Sequence, residues 1–177
     1  MKRCRLPPTT AAPVRPLSSA SSLQLVRRIP KQTFIRAGGS DPNISGMSYN
    51  SARDELFLAD YANNVVRAMR LRDNAGDLRD VNRANTASPS VGSVCHMSDS
   101  DTLLVCSTQW LVALSRNGSE WREAQRVQTD GSGRISCALS DSRVLIGEFN
   151  SIYMELFRVE SGPRIARIHR IHVPETY

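Results

Sequence analysis

Residues 44–81 decide the fold, because four short strand-like runs there are separated by turn-prone residues. The runs are ISGMSYN (44–50), ELFLAD (55–60), VVRAMRL (65–71) and LRDV (78–81). The separators are rich in Asn, Asp and Gly, which accept the positive φ angles that tight hairpins demand. The pattern predicts four antiparallel strands joined by hairpins.

The same four-run unit recurs twice further along the chain. Residues 93–127 contain SVCHMSD, TLLVCS, WLVAL and WREAQRV, and residues 135–171 contain ISCALSD, RVLIGE, YMELFRV and IARIHRI. Leu103 follows Leu56 by 47 residues and Val144 follows Leu103 by 41, which is the span of one propeller blade. We therefore predict an all-β domain over residues 37–177. It is a partial β-propeller of three four-stranded antiparallel blades at about residues 40–84, 90–128 and 133–173.

Composition within the repeat predicts where each strand lies. The second run of every unit is almost continuously apolar, as in strands buried on both faces, and the fourth is more polar, as in an outer strand. Gly46, Cys95 and Cys137 share one position in the first runs. Since strands converge near a propeller axis, small side chains are expected there.

The cysteines form no metal or redox motif. Cys4, Cys95, Cys106 and Cys137 include no CxxC pair. The last three lie in apolar runs, so buried free thiols are expected. A Cys95–Cys137 disulfide is the alternative in an oxidising compartment.

Residues 1–36 differ from the rest of the chain in composition. They hold eight basic residues and no acid, which leaves 15 basic against 17 acidic residues for the remainder. Five prolines and many Ser and Thr residues predict a basic disordered tail. The tail has no secretory apolar core, and its prolines oppose the amphipathic helix of a mitochondrial transit peptide. A cytoplasmic location is the default expectation, with mitochondrial targeting as the alternative.

Two segments of the first unit resemble the NHL repeat of six-bladed propellers. They are PNISGM (42–47) and LFLADYANNVV (56–66). The resemblance covers about 30 residues and implies a structural signature at Gly46, Asp60, Asn63 and Asn64. Asp60 and the two asparagines are expected to form the hairpin between the second and third strands, their side chains bonding open backbone groups. The second and third units keep the pattern of four strand-like runs but lack this signature.

Related six-bladed propellers imply a metal-dependent lactonase as one alternative function. Lactonase-like sites hold a divalent metal with Glu, Asn and Asp, for which this chain offers Asp60, Asn63, Asp99 and Glu148. Asp60 and Asn63 already have the turn role, and Asp99 lies in a turn. We therefore predict no catalytic residues, no metal and no cofactor.

The three histidines are also interpreted as structural or surface residues. His169 and His172 are three positions apart on one strand, so they face opposite sides and cannot chelate together. His96 lies in an apolar first strand, where a satisfied core histidine is expected.

Arginines of the first unit suggest a second alternative function. Arg67, Arg70 and Arg72 are predicted to form a basic surface, which with the basic tail would serve an RNA-binding platform. Aspartates lie among these arginines in the sequence, which favours an ordinary solvent-exposed surface of mixed charge over an RNA-binding surface.

Three blades leave two apolar blade faces uncovered. We expect either a fragment of a longer propeller protein, a tail that covers one end, or a homodimer closing a three-plus-three ring. The apolar runs are too short to span a membrane. The interpretation that the sequence favours is a non-catalytic interaction module with a protein partner.

Overall fold

The computed structural model describes residue 34 and residues 40–72, 78–81, 91–129, 135–140, 142–147, 153–160 and 162–173. Twelve strands in these residues form three antiparallel sheets of four strands each. The all-β fold class is confirmed. Apart from Phe34, the predicted tail lies outside the described residues.

Every sheet is a meander whose strands pair in chain order. Sheet 1 contains β1 (Ile44–Asn50), β2 (Glu55–Asp60), β3 (Val65–Arg70) and β4 (Arg79–Asp80). Sheet 2 contains β5 (Val91–Met97), β6 (Thr102–Ser107), β7 (Trp110–Asn117) and β8 (Glu120–Gln128). Sheet 3 contains β9 (Ile135–Ser140), β10 (Arg143–Gly147), β11 (Tyr153–Glu160) and β12 (Arg164–His172).

The hairpins use the turn residues that the sequence predicts. Asp54, Asn64 and Asp101 have φ angles of 53°, 50° and 44°, in the region that Asn and Asp tolerate better than most residues. Between β7 and β8 the connection is Gly118-Ser119, and Gly118 has a φ of 63°. Local turn chemistry therefore fixes which strands become neighbours.

The sheets pack face to face through two apolar clusters. Phe57, Ala59, Val66 and Ala68 of sheet 1 lie against sheet 2. The opposite face of sheet 2 packs on Val144, Ile146, Phe157, Val159 and Ile165 of sheet 3. Sheet 2 is thus the middle layer, and every residue of β5 and β6 is buried.

The first strands of successive sheets approach one another closely. A Cβ atom on Gly46 would lie 3.1 Å from the Cα of Ser93 on β5 and 3.2 Å from its Cβ. The added carbon would be a few tenths of an ångström too close to the backbone of Ser93, so this position favours a very small residue. The steric reason predicted for the small side chain is confirmed at Gly46.

Two burial predictions are wrong in sheet 3. Cys137 is exposed, although Cys95 and Cys106 are buried, and all three thiols are free. The β10 strand alternates between buried and partly exposed residues instead of being buried on both faces. Both differences have one cause, since no further sheet of the described residues covers the outward face of sheet 3. The outer strands β8 and β12 are mostly exposed, as predicted.

Candidate binding surfaces

The hairpin between β2 and β3 is organised around the buried carboxylate of Asp60. Its Oδ1 accepts hydrogen bonds from the backbone N–H groups of Asn43 (3.1 Å) and Asn63 (3.4 Å). Its Oδ2 accepts one from Asn63 Nδ2 at 2.9 Å. The Asn63 amide also donates to the Ser40 carbonyl and accepts from the Ser40 N–H, both at 3.1 Å. These bonds fasten the chain that leads into β1 onto the hairpin.

Asn64 links this hairpin to the next sheet. Its Oδ1 accepts a hydrogen bond from the Val91 N–H, 3.0 Å away at the start of β5. The residue adopts a left-handed conformation, which Asn tolerates better than most residues. The second asparagine therefore joins sheet 1 to sheet 2 as well as completing a turn.

Arg67 does not belong to a basic surface, so that part of the sequence prediction is wrong. Its side chain is only 2% exposed and forms a 2.9 Å ion pair with Asp60, which is fully buried. It also donates a hydrogen bond to the carbonyl oxygen of Phe34. The β2–β3 register explains the pair: Asp60 lies opposite Val65, and Arg67 is two residues further along the same face. An Arg in the interior of the apolar run VVRAMR, beside a turn aspartate, is the sequence signal for this contact.

A second set of polar groups lies between sheets 1 and 2. We call Asn50, Glu55, His96, Asp101 and Arg116 the inter-sheet cluster. His96 Nε2 lies 3.1 Å from Asn50 Nδ2 and 3.0 Å from Asp101 Oδ1. Arg116 contacts Asp101 at 3.5 Å and also pairs with Glu55. The His96–Asn50 and Arg116–Glu55 contacts join sheet 2 to sheet 1, so the cluster holds the neighbouring blades together.

His96 is therefore a structural histidine, stacked on Phe57 with ring centroids 5.6 Å apart. Burial tends to raise the pKa of Asp101. The hydrogen bond to His96 and the charges of Arg116 and Arg53 outweigh burial and hold that pKa below its ordinary value. The carboxylate is thus ionised at neutral pH and can pair with both arginines.

The residues proposed as metal ligands do not converge. Asp60 and Asn63 are engaged in the hairpin, Asp99 lies in an exposed turn after β5, and Glu148 lies outside the described residues. His169 and His172 oppose Leu156 and Tyr153 respectively, on the two faces of sheet 3. Within the part of the chain that the structure describes, no group of three His, Cys, Asp or Glu residues could hold a metal ion.

Arg70 and Arg72 are exposed near a pocket of about 200 Å³ at one end of sheet 1. The pocket is lined by Ala52, Arg53, Asp54, Arg70 and Arg72. Arg53, which no sequence pattern distinguishes from other turn residues, thus takes the place predicted for Arg67. The residues that line the pocket come from the β1–β2 turn and from the end of β3 and the residue pair after it. These two segments are adjacent only in the folded sheet.

The outward face of sheet 3 is a second exposed surface. Strand alternation and register place Cys137, Leu145, Met154, Leu156 and Ile171 on it. Leu139, the extra residue of a bulge in β9, is 55% exposed beside this face. By contrast, residues 91–129, all of which the structure describes, include no exposed large hydrophobic side chain.

The sequence matches no protein-family model and no curated protein, but solved structures resemble its fold. Sqt1 of Saccharomyces cerevisiae has a TM-score of 0.57 at 8% identity, covering 75% of this chain and 36% of that one. A putative 6-phosphogluconolactonase from Bacteroides fragilis has a TM-score of 0.62 at 15% identity, covering 76% and 40%. A nidogen/laminin complex gives 0.55 at 11%, covering 75% and 51%.

These likenesses and the three four-stranded sheets support a partial β-propeller. At such low identities they show the fold alone. The chain spans between 36% and 51% of the length of these three structures. Among the described residues, no helix is long and apolar enough to cross a membrane.

Proposed function

We propose that this chain is a non-catalytic binding module of the β-propeller type, which docks a protein partner on the outward face of sheet 3. One observation carries the proposal. The position of Leu145 in β10 corresponds to that of Leu104 in β6, and only Leu104 is fully buried by a neighbouring sheet. The apolar face of sheet 2 that contains Leu104 is covered by sheet 3, whereas the residues that the structure describes leave the corresponding face of sheet 3 uncovered.

The charges on this face indicate the chemistry of the partner. Arg143 and Arg158 are directly opposite each other on β10 and β11, and both are exposed. Like charges in a cross-strand pair are destabilising. A carboxylate placed between them would relieve this repulsion and form charge-assisted hydrogen bonds. We therefore expect the partner protein to present a β-sheet with an apolar face. That sheet should carry an acidic residue at the position that faces these two arginines.

Cys137 lies on the same face and offers a direct test. A photo-crosslinker attached to Cys137, with Cys4 replaced by Ser, should react with a partner strand that contains an acidic residue. The double variant R143E/R158E should lose this crosslink, because it reverses the charge that selects the partner. The matched variant R122E/R126E changes two arginines on β8 and should keep it.

Three results would overturn the proposal. Crosslinks that survive R143E/R158E would remove the charge argument. Self-crosslinks with a dimeric mass in light scattering would make a second copy the occupant instead of a different protein. Lactone hydrolysis that is lost on chelation would show that the chain is not a purely binding module.

A further inference from the structure

The outward face of sheet 1, which points away from sheet 2, is buried although no sheet of the described residues covers it. Register and strand alternation place Leu58, Val65 and Met69 on this face. They belong to neither apolar cluster between the sheets, yet these residues are only 5%, 8% and 2% exposed. On the outward face of sheet 3, by contrast, Leu145 and Leu156 are half-buried. Sheet 1 is therefore covered by something that sheet 3 lacks.

Arg67 identifies the part of the chain that reaches this face. It lies directly opposite Leu58 in the β2–β3 ladder, so the two side chains share the outward face. Its guanidinium group donates a hydrogen bond to the carbonyl oxygen of Phe34. Phe34 is itself half-buried, and it is the only aromatic residue among the first 36. The N-terminal segment thus contacts the outward face of sheet 1 at Phe34.

A continuous path of polar contacts fastens this segment at two points. The Asn63 side chain bonds both backbone groups of Ser40 at 3.1 Å and donates to Asp60 at 2.9 Å. Asp60 pairs with Arg67, whose guanidinium binds Phe34. Only five residues separate Phe34 from Ser40, so the loop closed by these contacts is short and costs little entropy to close.

The exposure of β1 shows how far the cover extends. Met47 and Tyr49 lie on the same outward face but are 69% and 46% exposed. The cover therefore lies over β2 and β3 and stops short of β1. An extended chain advances about 3.3 Å per residue, so roughly seven residues would run the length of β1, the longest strand of sheet 1. At least 33 residues precede Phe34, which is more than this needs.

We propose that the N-terminal segment around Phe34 caps sheet 1 over β2 and β3 and keeps a second copy of the chain off this face. Sheets 1 and 3 are built from the same repeat. Without the cap, sheet 3 of one copy could pack on sheet 1 of the next, and repetition of this head-to-tail contact would build an open chain of copies. The inference concerns sheet 1 and does not depend on the docking function proposed for sheet 3.

The first test maps the cap in the full chain, with methionine replaced by its diazirine analogue. Photo-crosslinks from position 69 should reach the peptide that contains Phe34. Crosslinks from Met154, on the outward face of sheet 3, should not reach that peptide and provide the control. A mixture of ¹⁴N and ¹⁵N protein separates contacts within one chain from contacts between copies. Crosslinks from position 69 that avoid Phe34, or that reach it only between copies, would overturn the proposal.

The second test releases the cap. Phe34→Asp places a charge at a half-buried position, so the crosslink from position 69 should be lost and the mass in light scattering should rise with concentration. Phe34→Leu keeps an apolar side chain and should remain capped and monomeric. Circular dichroism checks that both variants are folded, and the crosslink in the unaltered chain remains decisive if Phe34→Asp is not. A folded Phe34→Asp chain that keeps the crosslink, or that loses it and stays monomeric, would contradict the proposal.

Discussion

The middle sheet and the third sheet are built from the same repeat but differ in their surroundings. Leu104 and Leu145 occupy one position of this repeat, as do Cys95 and Cys137. Leu104 and Cys95 are buried, whereas Leu145 is half-buried and Cys137 is exposed. Strand order and pairing are the same in both sheets, so the neighbouring sheet makes the difference. In a stacked repeat protein, the burial of a side chain therefore depends on the adjacent repeat as much as on the repeat that contains it.

The largest loss of stability is expected for a charged side chain that is buried between strands and packed segments instead of lying on an exposed face. Arg67→Ala should destabilise the protein by about 3–5 kcal/mol, because it leaves the buried Asp60 carboxylate without its ion-pair partner. Arg158→Ala, on the open face of sheet 3, should change stability by less than about 0.5 kcal/mol. Urea unfolding followed by tryptophan fluorescence measures both changes. The pair Asp60→Asn with Arg67→Met, which leaves no buried charge, should be less destabilised than Arg67→Ala alone.

The matched leucines test the comparison directly. Leu104→Ala should cost about 2–5 kcal/mol, because it opens a cavity between sheets 2 and 3. The equivalent change Leu145→Ala should cost about 1 kcal/mol or less, because the side chain is already partly hydrated. Thermal and urea unfolding of the two variants give the difference. Equal losses would show that the outward face of sheet 3 is covered in solution, for instance by a second copy.

Two glycines provide a smaller contrast. Gly46→Ala should destabilise by about 1–3 kcal/mol, since its Cβ would press on the backbone of Ser93. Gly147→Ala should be neutral or slightly stabilising, because among the described residues its Cβ would meet only the Met154 side chain, at 3.9 Å. The midpoints of urea unfolding compare the two. A stable Gly46→Ala protein would contradict the close approach of β1 and β5.

The smallest effect concerns thiol reactivity and leaves stability unchanged. Burial raises the pKa of Cys95 to about 11 and that of Cys106 to about 12. At pH 8 the thiolate fraction of Cys95 is then about one in a thousand, and it grows only as the pH rises toward 11. With Cys4 replaced by Ser, iodoacetamide should modify Cys137 first, as read by mass spectrometry. Rapid labelling of Cys95 in folded protein would mean that sheets 2 and 3 separate readily.

Much of the fold follows from features that are local in sequence. The strands agree with the predicted runs because strand alternation and the positive φ angles of Asp54, Asn64 and Gly118 act over a few residues. Of the candidate site, the basic pocket could be predicted only in part. Arg70 and Arg72 were evident from their run, but Arg53 reaches the pocket because the β1–β2 turn lies beside the end of β3.

Sequence patterns predict the three repeats, the order of the strands within each sheet and the residue types at the hairpin turns that the structure describes. Their physical basis is the two-residue period of strands together with the few residue types that tight turns accept. Tertiary contacts, by contrast, establish that Arg67 is buried with Asp60, that Cys137 is exposed and that Arg53 lies beside Arg70 and Arg72. Those outcomes depend on which sheet or turn covers a face, and such contacts join residues far apart in the chain.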